Sequence, residues 1–190
     1  LSLNRAYKGS KRQPGSTFKI LAAYAPAIDS CGKSLSTIVV DEPYKYKNGK
    51  NVKNASRSYK GAVTYRTAIA NSINVCAVKV SDEISQELGF EYCEKFGIST
   101  LVKEKKTDAG VFSDINQTLA LGGVTDGVYN YELCAAYATI ANGGTYNTPT
   151  LYTKIVDHDG NVLLENPGES HQAIKEGTAS LLTSAMETVV

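Results

Sequence analysis

No stretch of the chain approaches the run of about 20 apolar residues that a membrane span requires, and no secretory signal peptide is legible in it. Charge of one sign is also missing, since 20 Lys and Arg stand against 19 Asp and Glu for a net +1. The basic residues fall in scattered groups, between Arg5 and Arg12, between Lys45 and Lys60, and at 103–106. That spread argues against a nucleic-acid footprint. Cys31, Cys76, Cys93 and Cys134 form no Cys-x-x-Cys pair and have no histidine pair nearby, so neither a zinc site nor a redox dithiol is indicated. They read as buried free thiols, with three disulfide connectivities open to them in an oxidising compartment. His158, beside a turn, and His171, in a polar linker, read as exposed residues rather than ligands. No cofactor or metal is therefore expected. No internal repeat or composition shift marks a boundary, so residues 1–190 read as one domain. A start at Leu1 and a single methionine, Met186, suggest an excerpt of a longer polypeptide.

What is present is an ordinary globular balance, 42% hydrophobic and 21% charged. Residues 16–25, STFKILAAYA, are apolar nearly all round, which in a helix means burial on several sides. Phe18, Leu21, Ala22 and Ala25 are expected in the core. Pro26 should kink or loosen this helix, which ends near Asp29. A β-branched run at 37–40 leads into a stretch rich in Asn, Gly and Lys, where Lys45, Lys47, Lys50 and Lys53 read as a solvated loop. A second helical region opens after Thr64, breaks at 71–74 and resumes at Val75. Ala77, Val80, Ile84 and Leu88 form its stripe, which Gly89 terminates.

Further on, a short helix at 92–96 stops at Gly97, and Lys103, Glu104, Lys105 and Lys106 read as a solvated, partly self-paired loop. Asn130 is placed to cap a helix over 131–142 that Gly143 and Gly144 stop. The segments 152–156 and 161–164 flank Asp159-Gly160, a hairpin signal. A last helix starts near Thr178 with Ala179, Leu182, Met186 and Val189 on one face. The pattern predicts one compact, mostly helical unit.

Two elements carry candidate chemistry. In RQPGSTFK, Ser16 and Lys19 are three residues apart after a Pro-Gly breaker, hence on one face of a helix start. In ANSINV, Ser72 and Asn74 occupy the corner between two helices. A serine nucleophile needs a base, the leaving amine needs a proton donor, and an amide substrate needs a polar clamp. Ser16, Lys19, Ser72 and Asn74 could fill those roles; alternatively, the serines and the asparagine cap or end helices.

RQPGSTFK, ANSINV, LALGG and YELCAAYATIANGGTY, in this order and spacing, resemble the transpeptidase domain of bifunctional class A penicillin-binding proteins over essentially the whole chain. Ser16 and Lys19 match the family's Ser-x-x-Lys motif, and Ser72 and Asn74 its Ser-x-Asn motif. The third motif, Lys-Thr-Gly or Lys-Ser-Gly, occurs nowhere in the sequence. In the family it follows the helix that resembles residues 178–190. The resemblance therefore implies the mainly helical part of an α+β fold, the penicillin-binding protein and serine β-lactamase-like transpeptidase fold. Most of its five-stranded antiparallel sheet would be missing, and a small hairpin near 151–165 retained. Cys76 stands where relatives often carry Pro or Ala, and a small buried thiol would fit there.

The chemistry implied is a DD-transpeptidase that cross-links peptidoglycan stem peptides ending in D-Ala-D-Ala through an acyl-enzyme on Ser16, and that binds β-lactams at the same serine. Lys19 would act as base, Ser72 would relay a proton to the leaving amine, and Asn74 would hold the donor amide and orient Lys19. Without the family's third-motif lysine to depress its pKa, and without the missing strands to keep water away, Lys19 is expected to be hydrated and largely protonated, and the chain alone to acylate slowly or not at all. The resemblance further implies a membrane-anchored parent with a glycosyltransferase domain, working at the extracytoplasmic face of a bacterial membrane. Two alternatives stay open: a penicillin-sensing domain without turnover, and a serine β-lactamase, which the absence of a clear counterpart to the deacylating glutamate disfavours.

Overall fold

The computed structural model describes residues 9–108 and 110–189. The apolar run near the start of the chain becomes the centre of the molecule. A 3-10 turn, Gly15–Thr17, leads through Phe18 and Lys19 into a π-helical segment, Ile20–Tyr24, and then α1, Ala25–Ser30. Phe18, Leu21, Ala23, Tyr24, Ala25 and Ala27 are fully buried there, as all-round apolarity requires. The loosening expected at Pro26 is a widening one turn earlier: the Ala25 N–H bonds back to the Ile20 carbonyl. Proline offers no N–H and its ring clashes with the carbonyl four residues back, and the wider turn accommodates it.

Around this axis lie α2 (Tyr65–Ala70), α3 (Asn74–Ile84), α4 (Gln86–Lys95), α5 (Asn130–Ala141) and α6 (Glu176–Met186). The π segment packs against α3 and α4, and α5 packs against α6. Thr64 starts α2 by accepting from the Thr67 N–H. α3 ends earlier than its stripe predicted. Ser85, at φ +80°, separates it from α4, and the Ser85 hydroxyl caps α4 by accepting from the Leu88 N–H.

Gly89 is therefore not a terminator but sits inside α4. A Cβ there would lie 2.4 Å from the Ala22 carbonyl oxygen, so the glycine permits close approach of α4 to the central helix. The predicted short helix 92–96 is the end of α4. Asn130 is the first residue of α5 rather than its cap, because the preceding Tyr129 is already extended in a strand. α6 stops at Met186, so Val189 lies beyond the helix, and Val190 lies outside the described residues.

The described residues also contain six two-stranded antiparallel pairs. Ile38–Asp41 pairs with Gly61–Thr64, and Tyr44–Lys45 with Asn51–Val52. Lys11–Arg12 pairs with Val128–Tyr129, and Ser170–Gln172 with Thr145–Asn147. The expected hairpin is found as Lys154–Val156 against Val162–Glu165, exposed on both faces. Lys105–Thr107, read as loop, is a strand against Gly110–Phe112; Lys106 does pair with Glu104, but Lys103 reaches Glu94 and Lys105 reaches Asp126. All four cysteines are free. Cys76 and Cys93 are buried as expected, whereas Cys31 and Cys134 are exposed. His158 is exposed beside Asp159, and His171 lies in a strand with Nε2 2.7 Å from the Lys95 carbonyl oxygen. No helix among the described residues is long and apolar enough to cross a membrane.

Candidate active site

The 3-10 turn bearing Ser16 is fixed from the outside by residues distant in sequence. The Gln13 amide is bonded at both ends, donating to the Val124 carbonyl at 2.6 Å and accepting from the Val124 N–H at 2.9 Å. Gly122, at φ +70°, leaves no room for a side chain: a Cβ would fall 2.2 Å from the Gly15 carbonyl oxygen. The Tyr137 hydroxyl donates to the Thr17 carbonyl at 2.8 Å. Ser16 itself is exposed at the turn.

The second element closes α2 and opens α3. Ser72 donates its N–H to the Ile69 carbonyl, and Ile73 to the Ala68 carbonyl, at 2.9 and 3.0 Å. This is a Schellman closure with Ser72 in the left-handed position at φ +49°, where glycine is usual. Holding serine there costs about 1 kcal/mol or more. Its hydroxyl, and its carbonyl, then face Lys19.

Lys19 Nζ donates to the Ser72 carbonyl at 2.6 Å, to Ser72 Oγ at 2.9 Å and to Asn74 Oδ1 at 2.6 Å. Three donors meet three acceptors, which uses the full capacity of an ammonium. Lys19 is 3% exposed. Burial lowers its pKa from 10.5 to about 8, opposed by the neighbouring Cys76. The expectation of a hydrated Lys19 is thus corrected: burial on the central helix desolvates it with no second cation. The Cys76 thiol, likewise desolvated, is pushed up to about 12 and stays protonated at neutral pH.

Asn74 is held in turn. Its Nδ2 donates to the Lys53 carbonyl at 2.8 Å, which fixes the amide orientation that presents Oδ1 to Lys19. α3 has no side-chain cap of its own. Instead, Asn54 Oδ1 accepts from the Val75 N–H at 3.1 Å, and Asn54 Nδ2 donates to the carboxylate of Asp41 at 2.8 Å. Asp41, 1% exposed, also accepts from the Lys60 N–H. Asn54 therefore performs, from 21 residues away, the service of an N-cap.

Ser16, Lys19 and Ser72 line one cavity of about 340 Å³ with Ile20, Tyr24, Ile69, Tyr137, Met186 and Val189 among its walls. Of the four residues singled out from sequence, three are joined by hydrogen bonds, and the fourth, Ser16, opens onto the same cavity. Sequence reasoning missed Gln13, Asp41, Asn54, Gly122 and Tyr137. Gln13, Gly122 and Tyr137 had a signal, the segments RQPGSTFK, LALGG and YELCAAYATIANGGTY in which they stand; Asp41 and Asn54 had none.

A family model for the penicillin binding protein transpeptidase domain matches residues 3–190. Penicillin-binding protein 1A of Clostridium tetani is 35% identical over 96% of this chain and 24% of its own length. Penicillin-binding protein 1A of Clostridium acetobutylicum is 36% identical over 95% of this chain and 22% of its own. The chain thus spans about a quarter of the length of the curated relatives it matches.

Among solved structures, PonA1 from Mycobacterium tuberculosis in complex with penicillin V superposes with a TM-score of 0.80 at 24% identity, covering 95% of this chain and 48% of that one. The penicillin G acyl-enzyme of penicillin-binding protein A from M. tuberculosis gives 0.81 at 20%, covering 98% and 45%. These two show the fold. Sequence kinship along nearly the whole chain, on a fold that buries a lysine against a serine and an asparagine beside a second serine, makes this chain a member of the penicillin-binding protein transpeptidase domain family.

Proposed function

We propose that this chain is a partial DD-transpeptidase domain in which Ser16 is the nucleophile, Lys19 its base, Ser72 the proton relay and Asn74 the residue that orients Lys19 and receives the donor amide. The observation that carries the proposal is the buried Lys19 ammonium, its three bonds shared between Ser72 and Asn74, on the wall of the cavity that Ser16 enters.

With a pKa of about 8, roughly a tenth of Lys19 is neutral at pH 7. That fraction can accept the Ser16 hydroxyl proton as Oγ attacks the carbonyl of a D-Ala-D-Ala stem peptide or the lactam of a penicillin. Lys19 returns the proton through Ser72 Oγ, 2.9 Å away, to the departing nitrogen as the amide C–N bond breaks. An amine of a second stem peptide then attacks the Ser16 ester, forming the cross-link and restoring the serine. One Asn74 N–H is occupied by the Lys53 carbonyl, which leaves the other for the donor amide.

The domain is the mainly helical half of the family fold, with most of the five-stranded sheet and the Lys-Thr-Gly strand outside it. The whole protein is a membrane-anchored, extracytoplasmic enzyme with a glycosyltransferase domain. The third-motif strand would supply an oxyanion donor, and removing one such donor costs about two to three orders of magnitude in rate. These 190 residues alone therefore acylate far more slowly than a version extended through that strand. The test is a paired time course with a labelled penicillin, read by intact mass, with Ser16→Ala as control. A single adduct, lost in Ser16→Ala and formed faster by the extended version, is expected. Adduct persisting in Ser16→Ala refutes the nucleophile assignment, and equal rates refute the role of the third strand.

A further inference from the structure

Between Pro43 and Ser81 the sequence holds Lys45, Lys47, Lys50, Lys53, Arg57, Lys60, Arg66 and Lys79 but neither Asp nor Glu, in a chain whose net charge is +1. Several of these cations are engaged. Lys47 donates to Gln86, Lys60 to Asn71, Arg66 to Ser184, and Lys79 pairs with Glu42. Lys53 and Arg57 are exposed, and their side chains make no hydrogen bond or ion pair with any described residue. Together with Asn54 and Tyr59 they line a cavity of about 560 Å³, separate from the one that Ser16 enters.

This basic cavity adjoins the reaction centre through a short chain of bonds. Lys19 reaches Asn74 Oδ1 at 2.6 Å, and the other end of the same amide, Nδ2, reaches the Lys53 carbonyl at 2.8 Å. Asn54, in the cavity wall, holds the first turn of α3. A donor lying against Asn74 with its scissile carbonyl at Ser16 would therefore meet Lys53 and Arg57 next. Tyr59 offers a ring face, and Arg57 a planar fork suited to a carboxylate.

We propose that the Lys53–Arg57 cavity is a subsite for an anionic group of the acyl donor, a carboxylate carried next to the amide that Asn74 receives. The inference rests on the acyl-enzyme reading of Ser16. A single carboxylate-bearing side chain is favoured over a polyanionic polymer because Lys53 and Arg57 converge on one concavity beside Asn74. A polymer would call for an extended stripe of free cations; Lys47, Lys60 and Arg66 are engaged, and Lys45 and Lys50, whose side chains are unpaired among the described residues, do not line this cavity.

The experiment uses the whole transpeptidase that contains this chain and compares acylation by benzylpenicillin and by its α-carboxy analogue, which differ by one carboxylate. The readout is the ratio of the two second-order rate constants. In the doubly substituted Lys53→Met, Arg57→Met protein, the ratio of carboxy to parent penicillin is expected to fall about tenfold. The main-chain carbonyl that Asn74 uses remains in place.

Lys53→Glu with Arg57→Glu should lower the ratio further, and salt should narrow the wild-type preference. A ratio unchanged in both variants, whether or not both rates fall, overturns the subsite. So does an unchanged ratio accompanied by loss of binding to a polyphosphate probe, which would assign the basic face to a polymer. Absence of a Ser16 adduct with benzylpenicillin in the wild type would overturn the acyl-enzyme reading itself, a failure distinct from an unchanged ratio.

Discussion

The two halves of the site are held by different forces. Lys19 rides on a helical axis whose neighbours Phe18, Leu21, Ala22 and Ala23 are at most 1% exposed, so its place is set by apolar packing. The Ser72–Asn74 corner also has buried anchors in Ile73 and Val75, but its polar groups are placed by bonds: a left-handed serine, the Lys53 carbonyl, and the Asp41–Asn54 pair that caps α3. Packing is non-directional and tolerates no void; hydrogen bonds are directional and individually modest. The lysine half should therefore fail through global stability, and the corner half through local geometry.

The largest effect tests the packed half. Leu21→Ala removes a fully buried side chain from the central helix and should cost about 2–5 kcal/mol, measured by denaturant unfolding. A cost below about 1 kcal/mol would show that the axis can collapse around the void, and that packing does not fix Lys19.

Next comes the lysine itself. Its pKa falls from 10.5 unfolded to about 8 folded, so folding favours the neutral form. At pH 7, where both states are protonated, the buried charge opposes folding by about 3 kcal/mol. Between pH 8 and 10.5 the unfolded chain binds the proton and the native one does not, so this penalty fades as pH rises. Lys19→Met lacks the penalty at every pH, on top of a constant offset from its lost bonds to Ser72 and Asn74. Stability measured for both proteins from pH 7 to 11 should show the wild type gaining about 3 kcal/mol relative to the variant. A flat difference would mean that water reaches Nζ.

The contrast also explains how much could be read from the sequence. The packed half was legible because apolar periodicity is local: Phe18, Leu21, Ala22 and Ala25 are all buried as expected. The proposed reactive pairs, Ser16 with Lys19 and Ser72 with Asn74, were singled out by their spacing together with the resemblance of the segments that carry them. What holds them was not, since Gln13 meets Val124 across 111 residues and Tyr137 meets Thr17 across 120. Gly89 shows the same limit from the other side. A glycine that ends a helix and one that admits a neighbouring backbone look identical until Ala22 is placed beside it. The hydration of Lys19 was misjudged because it was inferred from the missing strands of the sheet, while the helix carrying the lysine buries it regardless.

The smallest effect sharpens the comparison most. Asn54→Ala deletes the acceptor for the Val75 N–H and a donor to the buried Asp41 carboxylate, and it leaves the core residues of α3 untouched. Loss of a cap costs about 1–2 kcal/mol, less than a core truncation. The consequences should be local: the Val75 amide should exchange faster with solvent, while amides in the π segment keep their protection. Because Asn74 begins the turn that Asn54 caps, its amide would no longer be held square to Lys19, and acylation at Ser16 should slow by more than the stability loss accounts for. Hydrogen exchange and penicillin acylation on one variant separate the two halves. If Asn54→Ala destabilised the protein as much as Leu21→Ala, or if exchange rose equally in both helices, Ile73 and Val75 would be the true anchors of the corner. Both halves of the site would then be held by packing, and the Asp41–Asn54 pair would be only an ornament of a corner already fixed by its core.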